Sequence, residues 1–431
     1  MTAAPQFRSE FLRTFVERGA YYDCSAPEDL DALFQKERVT AYIGFDCTAP
    51  SLHVGSLVQL MTLRRLQQAG HRPILLMGGG TTKAGDPSGK DETRLLLTPE
   101  KIEANKNAIV AGVKHLLKFG DGPTDALLVD NAEWLDRLEY IPFLREVGRH
   151  FSVNRMMTME SVKLRLEREQ PLSFLEFNYS VMQAYDFVEL HKRHGCRLQS
   201  SGSDQWGNVI SGIELGRRMA NVQLFGLTTP LIATASGAKM GKTVAGAVWL
   251  NADLVSPYDY WQFWRNTEDK DVGRFLRLFT DLPLAEIARL EALQGAELNE
   301  AKKILATEAT TILHGEAAAD AAADTAKKAF EEGVASLNLP TVEFDWSADD
   351  KGVDQGRTMR SAEALLKASG LASSLGDARR KIAENGNTAV KINDMVISDP
   401  KAMFEAGQAD ARTGAFKVQY GRKKIVLVKP V

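Results

Sequence analysis

Residues 38–61 read RVTAYIGFDCTAPSLHVGSLVQLM, and this stretch decides the fold. Its opening, RVTAYIGFD (38–46), is short and apolar and closes on Gly and Asp, which predicts a strand. CTAPSLHVG (47–55) is rich in turn residues. From Val54 the spacing changes. Val54, Leu57, Val58 and Met61 fall at i, i+3, i+4 and i+7, a helical stripe that Gly70 ends. Working outward, PILLMG (73–78) predicts a second buried strand, closed by a glycine run and the turn GDPSGK (85–90). ALLVD (126–130) predicts a third. Strand, helix and strand, with glycines after the strands, imply a parallel α/β sheet with ligands at the strand C-termini.

The rest of the chain has a different texture. Residues 255–335 are rich in Ala, Glu, Leu and Lys with almost no strand signal, and AAADAAADTAKKAF (317–330) is a strong helix former. SLNLPTVEFDWSADDKGVDQG (336–356) reads as a linker. The last segment opens helix-like and ends in KVQYGRKKIVLVKP, a turn followed by an apolar strand, IVLV. The expected division is therefore 1–250, an α/β domain; 251–335, an α-helical domain; 336–357, a linker; and 358–431, a small α+β domain.

At 431 residues the chain is too long for one ordinary domain, and 44% hydrophobic with 25% charged residues is a globular composition. The N-terminus has no apolar h-region and no stretch approaches the roughly 20 apolar residues that cross a bilayer, so a cytoplasmic protein is expected. Cys24, Cys47 and Cys196 form no CxxC pair, which argues against a zinc knuckle or a disulfide framework. The net charge of -3 hides an asymmetry: residues 357–431 carry +7 and the remainder -10. A basic tail on an acidic body fits a polyanion contact, or simply a solvated basic surface.

Two short motifs carry chemistry. His53-Val54-Gly55 stands where a helix begins after a strand, and a helix N-terminus with a close-approach glycine favours phosphate. Lys239-Met240-Gly241-Lys242-Thr243 is a cationic loop among small residues, suited to neutralising a triphosphate while a bond breaks. Singly these read more readily as a helix cap or surface residue and an ordinary solvated loop. Together, HVGS (53–56) and KMGKT (239–243) resemble the HIGH and KMSKS motifs of class I aminoacyl-tRNA synthetases, which carry them on a Rossmann-like domain. YIGFDCTAPSLHVGSL (42–57), GGGTTKAGDPSGK (78–90), FLEFNYSVMQAYDF (174–187) and CRLQSSGSDQWGN (196–208) resemble the tyrosyl-tRNA synthetases of bacteria specifically, over the whole chain.

Tyr179, Gln183 and Asp186 are spaced i, i+4 and i+7, so they share one helix stripe, with Val181, Ala184, Tyr185 and Val188 opposite. The resemblance implies that Tyr179, Gln183 and Asp86 hold the ammonium of tyrosine. It implies that Asp186 accepts the phenol hydroxyl while Tyr42 donates to it, and that Gln205 orients the substrate near its carboxylate. It assigns Asp46, Gly55, Ser56, Gly202, Asp204 and Lys242 to ATP, and Thr48 and His53 to the γ-phosphate. Lys90, Arg94, Lys239, Lys242 and Thr243 match mobile charges that gather on pyrophosphate. Arg217 and Arg218 match acceptor-stem contacts with tRNA. Arg379, Arg380 and Lys381, and Arg422, Lys423 and Lys424, match phosphate contacts of a small RNA-binding module. ATP is expected with Mg²⁺ and no fixed protein metal site, and a homodimer is expected by resemblance alone.

Ser56 stands where the HIGH motif has its second His, Gly241 and Thr243 replace serines, and Cys47 follows Asp46 where proline is common. Two rivals are a synthetase-derived RNA-binding protein with a decayed active site, and another nucleotidyltransferase or the tryptophanyl relative. Intact Tyr42, Asp86, Gln183 and Asp186 with both loop lysines weigh against the first, and the pairing of Tyr42 with Asp186 against the second.

Overall fold

The computed structural model describes residues 5–87, 96–235, 237, 240, 242–243, 246–330, 339–346, 352–354, 357–383, 390–411, 413–421 and 424–431, with backbone alone at 242–243, 246, 329–330, 352–354 and 357–358. They form two compact units. The first is Met1–Val255 with Thr267–Leu313, the second Ser256–Asn266 with His314–Val431.

The first unit is built on a six-stranded sheet of β1 (Asp23–Cys24), β2 (Thr40–Asp46), β3 (Arg72–Gly78), β4 (Leu127–Asp130), β5 (Cys196–Gly202) and β6 (Phe225–Thr229), in the order β1-β6-β5-β2-β3-β4. Every pairing is parallel except β1 with β6. β2, β3 and β4 run outward in one direction and β5 and β6 in the other, so the chain reverses its progress between β2 and β5. In open parallel sheets the crevice at that point is where ligands bind. The ladder between β2 and β5 ends at the pair Tyr42–Gln199. Beyond it the strand ends 43–46 and 200–202 both line one cavity.

The three strands read from the sequence are β2, β3 and β4, within two residues at their ends. The helical stripe beginning at Val54 is a single 3₁₀ turn, Val54–Ser56, leading into α1 (Leu57–Gln68), and Gly70 takes the left-handed φ of 83° that ends it. Helix α2 (Tyr179–His194) stops the same way at Gly195, φ 64°. Helix α3 (Trp206–Ala220) follows β5 and packs along α2. Val181, Ala184 and Val188 of α2 are buried with Val147, Met156 and Leu215, while Phe187 and Leu190 join Tyr42, Ile74 and Leu76 under the sheet. The stripe left over on α2 faces the cavity.

The expected helices of 255–335 are Pro257–Arg265, Val272–Phe279, Leu284–Glu291, Leu298–His314 and Glu316–Phe330. They do not form a compact unit of their own, and the compact units differ from the four pieces expected. The buried guanidinium of Arg65 on α1 donates to the carbonyls of Arg277 and Leu278, and Arg18 donates to those of Thr280 and Leu282. These bonds cap the C-terminal end of Val272–Phe279 against the sheet domain, a tie that helix-forming composition does not disclose.

The second unit carries a correction. The segment expected as a linker over 336–357 supplies structure: Thr341–Phe344 pairs in parallel with Leu427–Pro430, and Gly352–Asp354 pairs with Arg357–Ser361. Trp346 is buried and stacks on Phe416 with ring centroids 5.2 Å apart. Thr341–Phe344 is an edge strand of four residues with mostly exposed side chains, too short for its alternation to stand out in the sequence. The five-stranded sheet, with helices Ala362–Ala368 and Leu375–Ala383, makes the C-terminal piece α+β as expected. No described helix is long and apolar enough to cross a membrane.

Candidate active site

The cavity at the β2/β5 crevice has a volume of about 350 Å³. Strand C-termini make its rim: β2 ends at Asp46, β3 at Gly78 and β5 at Gly202, all of which line it. Helix α2 supplies Tyr179, Gln183 and Asp186, and the start of α1 supplies Gly55, Ser56 and Gln59. Of the positions expected from sequence, Tyr42, Asp46, Thr48, Gly55, Ser56, Asp86, Tyr179, Gln183, Asp186, Gly202, Asp204 and Gln205 all line this one space.

At its floor lies Asp186, 2% exposed. Asn131 Nδ2 donates to Asp186 Oδ2 at 2.9 Å and Trp134 Nε1 to Oδ1 at 2.8 Å. These two donors hold the carboxyl in place, and sequence reading missed both. Asn131 follows directly on β4, and the C-terminal end of a predicted parallel strand was the available signal. Tyr42 OH is buried with no hydrogen-bond partner among the described residues. Burial pushes the carboxyl of Asp186 up to about 8, helped by the neighbouring charges of Asp46 and Asp130 and opposed by the two N–H donors. Burial, with the charge of Asp186, pushes the Tyr42 phenol well above its ordinary range.

Higher up, polar side chains form a connected net. Tyr179 OH donates to Asp46 Oδ2 at 3.1 Å and Thr81 Oγ1 to Asp46 Oδ1 at 2.8 Å. Gln205 Nε2 donates to Asp86 Oδ2 at 2.9 Å, and Asn208 Nδ2 donates to both Gln205 Oε1 and Gln183 Oε1. Asp46, Asp86 and Asp204 line the cavity above the Asp186 floor, and no described Lys or Arg does. Such a wall attracts an ammonium group and repels a triphosphate, so phosphate needs cations from elsewhere.

His53 precedes the 3₁₀ turn, and its Nδ1 accepts from Gly55 N at 3.0 Å, which leaves the imidazole proton on Nε2. Backbone bonds Val54 N to Val248 O and Leu250 N to Leu52 O, both 2.9 Å, bring the chain after the second motif onto the first. A Cβ on Gly55 would stand 3.0 Å from Met240 O, so the second motif itself reaches HVGS at that residue. Lys242 and Thr243 lie in a short strand paired with Gly246–Ala247, backbone alone. Lys90, Arg94 and Lys239 lie outside the described residues, as do Arg422 and Lys423.

Cys47 is buried, its amide bonded to Thr82 Oγ1 and its carbonyl to Asn105 Nδ2. Burial raises its thiol to about 12, so it stays protonated and unreactive near neutral pH. Arg217 and Arg218 are exposed near the end of α3, paired with Glu214. In the second unit Arg379, Arg380 and Lys424 are exposed; Arg379 pairs with buried Glu363, and Arg380 and Lys381 pair with Asp377 at 3.5 and 2.8 Å.

The family model of class I tRNA synthetases (W and Y) matches residues 35–331. The tyrosine–tRNA ligase of Caulobacter vibrioides is 59% identical over 431 residues, all of both chains. The chain belongs to the tyrosine–tRNA ligases, within the class I synthetases. That of Rhodospirillum rubrum is 58% identical over 98% of each chain. Among solved structures, a C-terminally truncated mitochondrial tyrosyl-tRNA synthetase of Aspergillus nidulans superposes with a TM-score of 0.69 at 30% identity, covering 75% of this chain and 95% of that one. The class I fold and the aminoacyl-tRNA synthetase activity follow from this membership.

The pH dependence of stability follows from Asp186. Its carboxyl titrates at about 8 in the native protein and near 3.8 when unfolded. Between those values the native state holds the extra proton, so this group's contribution to stability is lost as pH rises through the window. The unfolding free energy of Asp186→Asn, relative to the unsubstituted protein, is expected to rise by a few kcal/mol from pH 5 to pH 8.5. Denaturant melts at both pH values measure it, and an unchanged gap contradicts the assignment.

Proposed function

We propose that this chain activates L-tyrosine with ATP to tyrosyl-adenylate, releasing pyrophosphate, and transfers the tyrosyl group to the 3′-terminal adenosine of tRNA(Tyr). The observation that carries this reading is the cavity floor. A carboxyl held by Asn131 and Trp134 meets the same space as a phenol hydroxyl, Tyr42 OH, that has no hydrogen-bond partner among the described residues. A bound tyrosine completes both, its hydroxyl donating to Asp186 and accepting from Tyr42. Phenylalanine completes neither and leaves buried polar groups unmet, which is how such a site rejects an analogue lacking one oxygen.

The acidic upper wall suits the substrate ammonium, with Asp86, Tyr179 and Gln183 as its neighbours. Asp86 is oriented by Gln205, which is itself oriented by Asn208. ATP enters as its Mg²⁺ complex along the β2 and β5 ends, with Asp46, Gly202 and Asp204 toward its nucleoside. Gly55, Ser56, Thr48 and His53 lie toward its phosphates at the helix start. The tyrosine carboxylate is already a nucleophile, so no side-chain base is needed. It attacks the α-phosphorus, and the protein positions the two and neutralises the departing pyrophosphate through Lys90, Arg94, Lys239, Lys242 and Thr243.

We assign tRNA to the exposed basic residues Arg217, Arg218, Arg380 and Lys424, with Arg422 and Lys423 beside the last. Arg379 and Lys381, on the same helix as Arg380, are assigned to the same contact. The helices of 251–335 are read as the anticodon side and 358–431 as an RNA-binding piece. A homodimer is supported by the exposed apolar side chains of Tyr140, Ile141, Val153, Met157, Phe174 and Leu175. A cytoplasmic location accords with an enzyme of translation.

Tyrosine-dependent exchange of pyrophosphate into ATP tests the reading directly, and its absence in folded protein rejects it. Tyr42→Phe is expected to raise the KM for tyrosine about tenfold while the melting temperature holds or rises. The hydroxyl is unmet without substrate, so its loss weakens binding and costs the free protein nothing. A fall in melting temperature with unchanged KM contradicts this.

A further inference from the structure

Three segments of the first unit meet at the side-chain amide of Asn251, which is buried. The residues before it, Val248–Leu250, lie antiparallel to Leu52–Val54, with His53 opposite Trp249. Ser51 Oγ shares its proton between Asn251 Oδ1 at 2.9 Å and Leu52 O at 2.7 Å, and accepts from Asn251 N at 3.1 Å. Asn251 Nδ2 donates to Ala108 O at 2.8 Å, inside the helix Pro99–Val113, and to Pro50 O at 3.4 Å. The helix is cut back to admit this amide: a Cβ on Gly112 would overlap Asn251 Oδ1. Gly112 does not take a positive φ, so its glycine answers to that space and not to the backbone. The same helix grips the other end of the stretch, where Asn105 Nδ2 donates to Cys47 O at 2.9 Å.

Thr48 stands between these two anchors and His53 just beyond them, so the helix acts as a splint for the residues placed toward the phosphates of ATP. An amide suits the junction because one end must accept from a hydroxyl while the other donates to carbonyls, which no hydrocarbon or carboxylate side chain does. Asn251 does not line the cavity, and none of its bonds reaches β3, β4 or α2, which frame the tyrosine end. Its influence is therefore confined to the phosphate side and passes through Thr48 and His53. We infer that Asn251 is a positioning residue for the activation step, locking residues 47–53 and the chain that follows the second motif onto the helix Pro99–Val113. This rests on the ATP-dependent activity proposed above.

The test is tyrosine-dependent pyrophosphate exchange, with tyrosine and ATP each varied, for the unsubstituted protein, Asn251→Ala, Gly112→Ala and the double variant, all held well below their melting temperatures. Asn251→Ala is expected to lower kcat by about 10- to 30-fold while the KM for tyrosine stays unchanged. Gly112→Ala keeps the amide but drives it off its bonds, so kcat should fall by a similar factor. It reads the same quantity if Asn251→Ala does not fold. With the amide gone the new methyl meets nothing, so the double variant should match Asn251→Ala instead of multiplying the two losses. No exchange by the unsubstituted protein defeats the activity itself. Folded variants with lower melting temperatures but undiminished kcat show a purely structural contact and overturn the role of Asn251. So do a parallel rise in the KM for tyrosine, or losses that multiply in the double variant.

Discussion

Asp186→Ala is expected to lower kcat/KM for tyrosine in pyrophosphate exchange by about a thousandfold, or about 4 kcal/mol. The size follows from what is left behind. Removing the carboxyl strands the Asn131 Nδ2 and Trp134 Nε1 donors and leaves the substrate phenol without an acceptor in a closed, buried space. ATP binding should persist, because Asp46, Gly202 and Asp204 belong to the opposite end. Preference for tyrosine over phenylalanine should collapse with it, since the unmet groups no longer distinguish the two. Steady-state kinetics with both amino acids decide it, and an active variant that still excludes phenylalanine refutes the floor assignment.

Gly55→Ala is expected to cut kcat by about a hundredfold with little change in the KM for tyrosine. A Cβ there would stand 2.6 and 2.7 Å from Cε1 and Nδ1 of His53 and 3.0 Å from Met240 O. The imidazole has to swing away and lose its bond from Gly55 N, and the backbone at Met240 has to retreat. Both motifs shift together by a fraction of an ångström to an ångström, enough to spoil in-line attack while the tyrosine pocket below is untouched. Exchange assays with saturating tyrosine measure it, and a fully active variant shows that the two motifs need no such close fit.

The central sheet was legible because β2, β3 and β4 are apolar runs closed by glycines, and the 3.6-residue period of α1 begins right after a turn-rich loop. The cavity's main residues were legible because blocks around Tyr42, Asp86, Tyr179 and Asp204 resemble one family over long stretches. Asn131, Trp134 and Thr81 were not, because each acts on a neighbour that is distant in sequence. Asn131, for instance, reaches Asp186 from the end of a different strand. The strand at Thr341–Phe344 was read as linker because it is short, its side chains are mostly exposed, and its ladder partner lies more than 80 positions on in the sequence. The attachment of Val272–Phe279 to the sheet domain was hidden because it depends on buried guanidinium groups of Arg18 and Arg65 reaching carbonyls more than 200 positions away.

The parting of β2 from β5 beyond Tyr42–Gln199 has a consequence for solubility. A strand edge with open hydrogen-bonding capacity is ordinarily a template on which another chain can add itself and start aggregation. Here the open edge lies in the middle of the sheet, flanked by intact ladders on both outer sides, and Tyr179 and Gln183 of α2 line the same cavity. The protein thus keeps unpaired backbone where a small molecule can reach it and an extended polypeptide has no room to lie.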